Sequence, residues 1–503
     1  MTSPILANPG LMAVTQGKPR RVVLDLVLFY GVFGLLLFGP VAFGAVDPLS
    51  IFILEFGAAL LFVLWLFKQM NSDKLKVTDN PLFLPMLAFA GLIVLQIMAG
   101  RSAYRHNSIA GALLYCGYGL LCFLTVQCLR KASQVKTLAL IVSVYGTAIA
   151  FVALLQGLAP NGKVYWLREP HLGGWIYGPY VNHNHYAGLM EMLVPIPLVF
   201  CFTRYAYGSR KNLAALAAAL MASTVFLSGS RGGMLGLALE IAIFATVVIR
   251  GQRNFKTTLA IAAFLVVVTG LLTWIGGGEL AKRMASIRAE TRTELSGGVR
   301  LSINRDGLHM FLERPVMGWG LATFPVVYPQ FRSFYTNFFV NAAHDDYLQL
   351  LVETGALGFA IMIWFLVQLY RSSVVKLPNW STNINGALSL AALLGCSGIL
   401  VHSFLDFNLQ IPANAALFYV LCVVAASQPV VESSRRSRSR AAEEIEIAIS
   451  SITQSVPGVP AAPAYLQPAC LPHGSQPTLP PDSQPHSSPP AKILEGNDVP
   501  GRP

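Results

Sequence analysis

Charge is what this sequence has least of. Only 12% of its 503 residues are Asp, Glu, Lys or Arg, about half the roughly 25% of an average soluble domain. So few charges cannot coat a water-facing surface of this size, which excludes an ordinary cytosolic enzyme. The 54% hydrophobic content and mean hydropathy of +0.56 exclude a disordered chain. Cysteine is scarce as well. Of seven, six lie in or at the ends of apolar runs, one (Cys470) lies near the C-terminus, and none forms a CxxC pair. That excludes a secreted disulfide scaffold and a thiolate metal site, and leaves the cysteines as small buried hydrophobes. A Gly-rich nucleotide-phosphate loop is also missing. What remains is a polytopic membrane protein.

A spanning helix needs about 20 mostly apolar residues. Twelve segments meet that length, roughly 22–44, 49–67, 81–99, 108–128, 137–158, 185–202, 212–228, 234–249, 258–276, 346–370, 386–404 and 412–428. The expected fold is all-α, with about twelve transmembrane helices. Residues 1–21 form a cytoplasmic N-terminus, and 22–276 carry helices one to nine. A long periplasmic segment follows at 277–345, and helices ten to twelve occupy 346–428. The first apolar run is too long, and lacks a clean small-residue site after it, to be a cleavable signal. From Pro429 onward the chain holds 14 of its 31 prolines, with Ser, Gln and Ala around them. This composition predicts a disordered cytoplasmic tail over 429–503.

The net charge of +12 reads as an orientation signal rather than a nucleic-acid footprint. With the N-terminus inside, seventeen Lys and Arg fall in the short inner segments and five in the short outer loops. The outer pair Arg101 and Arg105 runs against this trend.

With that orientation, the polar clusters that interrupt the apolar pattern collect at the outer ends of the spans. Asn182, His183, Asn184 and His185 begin the sixth span as a dense set of neutral donors and acceptors, suited to sugar hydroxyls or a diphosphate. The alternative there is a helix cap made by Asn182 or Asn184. Ser228-Gly229-Ser230-Arg231-Gly232-Gly233 joins two spans in a link so short that Arg231 sits at the membrane boundary. An arginine there is costly unless it is paired or wet, and the helix N-terminus beside it favours anions. The outer segment carries Arg300 and Arg305, the latter beside Asp306, and ends in His344-Asp345-Asp346. Glu353 lies nine residues beyond His344, about two and a half helical turns into the apolar zone. Histidine is the side chain best suited to take a proton near neutral pH. One reading has Arg231 and Arg300 hold an anionic leaving group while His344 activates a hydroxyl. The other makes His344 a cap neighbour, with Asp345 or Asp346 as the cap. His402 and Asp406 add a further histidine and acid to the same face.

In this order and spacing the clusters resemble the O-antigen ligase / O-antigen polymerase-like family of bacterial membrane glycosyltransferases. The similarity covers roughly 20–428 and is most specific over 180–360, through the Asn/His stretch, the Ser-Arg-Gly-Gly turn, the Arg300 segment, Pro315-x-x-Gly318-x-Gly320 and the run from His344 to Gly355. The resemblance implies transfer of a glycan from undecaprenyl diphosphate, on the periplasmic face of the inner membrane, to an acceptor hydroxyl. Neither cofactor, metal, nucleotide sugar nor nucleic-acid partner is implied. It assigns His344, Arg231 and Arg300 catalytic roles, and the other polar residues named above (Asn182, His183, Asn184, His185, Arg305, Glu353, His402) would bind substrate. The acceptor would be lipid A-core in a ligase, a second lipid-linked glycan in a polymerase, or a protein in an O-oligosaccharyltransferase. Asp345 stands where the family often has Asn or Ser. A lipid-linked sugar transporter is the reading from another class. It would place its polar residues nearer the midplane, in broken helices.

Overall fold

The structure is a computed structural model that describes residues 9–72, 76–170, 175–251, 299–335 and 339–428. The ninth expected span (258–276), the start of the outer segment (277–298) and the tail (429–503) lie outside the described residues. The helices are α1 Pro9–Val41, α2 Pro48–Met70, α3 Phe83–Met98, α4 Arg105–Cys128, α5 Ala132–Leu158, α6 His183–Leu193, α7 Pro195–Cys201, α8 Ser209–Ser228, α9 Arg231–Gly251, α10 Val299–Glu313, α11 Phe324–Val327, α12 Asp346–Val374, α13 Ile384–His402 and α14 Pro412–Ala426. Among the described residues the protein is all-helical, with two isolated bridges and no sheet.

Eight of these helices are long and apolar enough to cross a membrane: α2, α4, α5, α8, α9, α12, α13 and the Val23–Val41 part of α1. Helices α3 and α14 are apolar but shorter, at 16 and 15 residues. The sixth expected span is not one helix. It breaks at Val194 into α6 and α7, because Pro195 and Pro197 offer no backbone N–H to continue the ladder.

Helix α13 runs through the middle of the bundle and is buried along almost its whole length. Its small residues allow this. A Cβ at Gly395 would stand 2.9 Å from the Cα of Met192 on α6, so only glycine lets these two backbones meet.

Hydrogen bonds show which helix ends lie together. At one end, Ala413 N donates to Gly44 O at 3.0 Å, Ala103 N to Trp319 O at 2.7 Å and Asp346 N to Ser403 O at 2.9 Å. At the other, Asn80 donates to Val423 O at 3.0 Å and Lys376 to Ser427 O at 2.8 Å. The first group gathers the loops after α1, α3, α10 and α13 with the starts of α12 and α14; Ser230 after α8 joins it at His402 and α10 through Arg300 at Leu405, and together they are the site end.

Helix α12 is also broken. Gly355 sits at φ 67° and ψ −169° inside it. The freed backbone is taken by the turn at 315–320: Trp319 N donates to Val352 O, Gly320 N to Glu353 O and Ala356 N to Pro315 O, all within 3.0 Å. A Cβ at Gly318 would meet the Glu353 backbone, and one at Gly355 the Val316 backbone. The glycines of these two sequence stretches are therefore the two sides of one close backbone contact.

Candidate active site

The site is built around Asp406, in the short loop between α13 and α14, whose side chain is 1% exposed. Four groups face it. Asn184 donates its side-chain amide to Oδ2. The Arg300 guanidinium stands 4.0 Å from the same oxygen and donates to Leu405 O at 3.0 Å. His344 Nδ1 is 3.5 Å from Oδ1, which also accepts from Phe407 N at 2.9 Å. Burial works to raise the Asp406 pKa. The His344 contact and the fields of His185, His344 and Arg300 outweigh it and hold the carboxyl well below the usual range. Asp406 is therefore ionised near neutral pH, and its charge is compensated on every side.

His344 is 26% exposed and held in a left-handed backbone conformation, φ 56°. Histidine rarely adopts this, so the fold presents the ring at a cost in strain. Its ring meets Phe407 edge to face with centroids 4.8 Å apart, and His185 meets Phe407 in the same way at the same distance. Asp345 does not pair with His344. It caps α12, accepting from Tyr347 N at 2.9 Å and Leu348 N at 3.0 Å. Asp346 ties the same helix start to the Asp406 loop, accepting from Ser403 Oγ at 2.8 Å, Leu409 N at 3.0 Å and Gln410 at 3.2 Å.

The Asn/His stretch divides its work. Asn182 is the N-cap of α6, accepting from Asn184 N at 2.8 Å, so the cap reading holds for it. His185 is satisfied at both nitrogens, with Nδ1 3.3 Å from Asn408 Oδ1 and Nε2 3.3 Å from the Asn182 amide. Those partners fit one neutral tautomer, Nδ1–H donating and Nε2 accepting. His183 lies against Trp175, ring centroids 4.6 Å apart. Its pKa is pushed down to about 4 by burial, so it too is neutral near pH 7.

The turn between α8 and α9 packs beside this site. Gly229 at φ 79° closes α8, and Ser230 Oγ accepts from Gly233 N at 3.1 Å to cap α9. A Cβ at Gly232 would stand 2.6 Å from His402 Nε2, and one at Gly233 2.6 Å from the Ala187 side chain. These glycines thus admit neighbouring helices, a packing reason that the sequence does not reveal. Arg231 is exposed on the first turn of α9. His402 is buried one layer below, with Nδ1 3.1 Å from Glu191 Oε2 and Nε2 3.4 Å from Ser230 Oγ.

Two expected site residues have other surroundings. Glu353 is buried in α12 and accepts from Ala322 N at 2.8 Å, Phe324 N at 3.2 Å and Gln349 at 3.3 Å, fastening the run after Gly320. Arg305 is exposed on α10, and Asp306 is turned inward, accepting from Tyr328 Oη and Ser333 N at 3.0 Å. The acid expected to pair with Arg305 is thus spent elsewhere.

The structure brings together His344, Arg300, Asn184 and Asp406. It surrounds them with Asn182, His183 and His185, and it sets Arg231 just past the adjoining turn, whose Ser230 meets His402 at the end of α13. Asp406 is the residue that sequence reasoning underrated. Its signal was an acid in a short polar loop directly after His402. Among the described residues no cluster of three His, Cys, Asp or Glu is placed to hold a metal ion. What the arrangement offers is a partly open imidazole backed by a buried carboxylate, beside a guanidinium. No curated protein matches the chain. Residues 216–363 match the family model described as O-antigen ligase, a stretch from α8 into α12 that contains Arg231, Arg300 and His344.

Proposed function

We infer, for a chain that belongs to the O-antigen ligase-like family, that the site end transfers a glycan from a polyprenyl diphosphate, undecaprenyl diphosphate in bacteria, to an acceptor hydroxyl on the periplasmic face of the inner membrane. The observation that carries this reading is the convergence of His344, Arg300 and Asn184 on one buried, ionised Asp406.

The step needs little beyond positioning and charge, because a diphosphate is already a good leaving group. The acceptor oxygen attacks the anomeric carbon from the face opposite the phosphate, inverting it. The carbon–oxygen bond to phosphate breaks, and the polyprenyl diphosphate leaves with the electron pair. His344 takes the acceptor proton on Nε2, the nitrogen turned from Asp406. Asp406, 3.5 Å from Nδ1, steadies the imidazolium that forms. Arg300 and Arg231 take the diphosphate, for which planar guanidinium is suited. The neutral amides and imidazoles of 182–185 meet sugar hydroxyls. Twelve spans with both ends inside, and a periplasmic outer segment, complete the arrangement. In this reading the protein is a ligase acting on lipid A-core; a polymerase or a protein-directed transferase would run the same step on another acceptor.

The test is complementation. In cells lacking the wild-type copy, His344→Ala and Arg231→Ala are expected to abolish glycan transfer while membrane levels stay unchanged. Full transfer by both variants would remove the catalytic reading.

A further inference from the structure

Helix α10 spans about 22 Å for its 15 residues, and both ends are tied to loops of the site end. Arg300, near its start, donates to Leu405 O at 3.0 Å. Arg314, just past its end, donates to Arg101 O at 3.2 Å and lies 3.9 Å over the Trp319 ring. The helix therefore runs along the outer ends of the bundle rather than into it. Ile303, Asp306, Gly307 and Met310 make its buried face, and a Cβ at Gly307 would stand 3.1 Å from Leu348 in the first turn of α12.

Among the described residues the opposite face is apolar and exposed. Leu301, Leu308 and Leu312, at spacings of seven and four, are 76%, 48% and 61% exposed. By helical periodicity these three point about 180° from the buried face. Around this stripe the exposed charge is mostly of one sign: Arg101, Arg105, Arg305 and Arg314 against Glu313. Arg305 makes no bond among the described residues. The pair Arg101 and Arg105 is the one that runs against the inward bias of basic residues.

We propose that α10, with the Arg101–Arg105 loop, is an interfacial lipid-binding surface. Its leucine stripe enters the acyl region of the leaflet at the site end, and its arginines hold anionic phospholipid headgroups. An amphipathic helix with leucines on one line and arginines at its borders has the chemistry of such a surface. The position at membrane-boundary depth follows from the contact with the first turn of α12. The outer arginines then have a counter-charge where topology alone leaves them unexplained. The leucine stripe and Arg101, Arg105, Arg305 and Arg314 take no part in the transfer step assigned to Arg300 on the same helix, and the readout requires no turnover.

The experiment places p-benzoylphenylalanine at Leu308 in the full chain. The protein is reconstituted in nanodiscs of phosphatidylcholine with a minor share of phosphatidylglycerol, and adducts are identified by mass spectrometry after illumination. Lipid adducts are expected, with phosphatidylglycerol enriched over its share. Arg101→Gln and Arg105→Gln are expected to lower that enrichment by roughly fivefold each. Monodisperse elution shows that these variants fold, and the Leu308 substitution is at an exposed position. An absence of lipid adducts, adducts to a second copy of the chain, or no preference for phosphatidylglycerol would each overturn the proposal.

Discussion

Asp406 shows how a single buried acid organises this site. A carboxylate that is 1% exposed would ordinarily be driven towards its neutral form, yet here His344, Arg300 and an amide keep it charged. Asp406→Asn keeps the shape and removes the charge. Transfer is expected to fall by about 10² or more, within the range of a positioned base, while glycan-lipid binding changes little; equal turnover of variant and wild type would show that His344 works without it. His183 gives the site a second group whose stabilisation is lost in acid. Its pKa in the folded protein is about 4, below the usual 6.5, so the unfolded chain takes up the proton first as pH falls. The stability present above pH 6.5 is lost progressively between 6.5 and 4, by up to about 3 kcal/mol. His183→Gln is therefore expected to flatten the melting temperature over that window, as followed by intrinsic fluorescence; an unchanged acid limb would assign the loss to other groups. The Asn/His stretch and Arg231 were legible in the sequence because they interrupt apolar runs, and Arg300 and His344 because they stand in the polar outer segment between spans. Asp406 was less so: the short distance to His344, 62 positions away, exists only once α12 and α13 are paired.

The helices divide between those that a periodic pattern describes and two that it does not. Apolar runs locate α2, α4, α5, α8 and α9 to within a few residues. The breaks at Val194 and Gly355 lie inside equally continuous runs, so a composition window passes through them. At Val194 the cause is written in the sequence, since Pro195 and Pro197 carry no backbone N–H. At Gly355 the reason is tertiary, since the break exists to receive the backbone of 315–320. Gly355→Ala must place a side chain at φ 67° against the Val316 backbone. A loss of at least about 1–3 kcal/mol is expected, read as a lower melting temperature in detergent; a neutral effect would show that the contact is dispensable. Glu353→Ala leaves the buried N–H groups of Ala322 and Phe324 unpaired. Its expected cost is about 1–3 kcal/mol per group, whereas Glu353→Gln, which keeps an acceptor, should lose less. The substitution pair separates a fastening role from a substrate role, because fastening appears in the melt and substrate binding in the KM.

For the whole molecule, the charge deficit and the inward bias of basic residues made a polytopic membrane protein legible before any coordinates. Eight long apolar helices and the gathering of the polar clusters at one end of the bundle agree with that reading. The proposal that the site end faces the periplasm is supported by charge bias alone. It is checked by single cysteines in a background lacking the native ones. At Arg105 a membrane-impermeant maleimide is expected to label intact spheroplasts, and at Ser381 only after permeabilisation; the reverse pattern would invert the orientation. We propose that His344, backed by Asp406, transfers a polyprenyl-diphosphate glycan to a hydroxyl without a metal. The most direct measurement supplies a defined undecaprenyl-diphosphate glycan to the purified protein with lipid A-core, a second lipid-linked glycan or a Ser/Thr peptide as acceptor, in the presence of EDTA. The account predicts a glycosylated product and released undecaprenyl diphosphate with wild type, and neither with His344→Ala. Undiminished transfer by His344→Ala would contradict it.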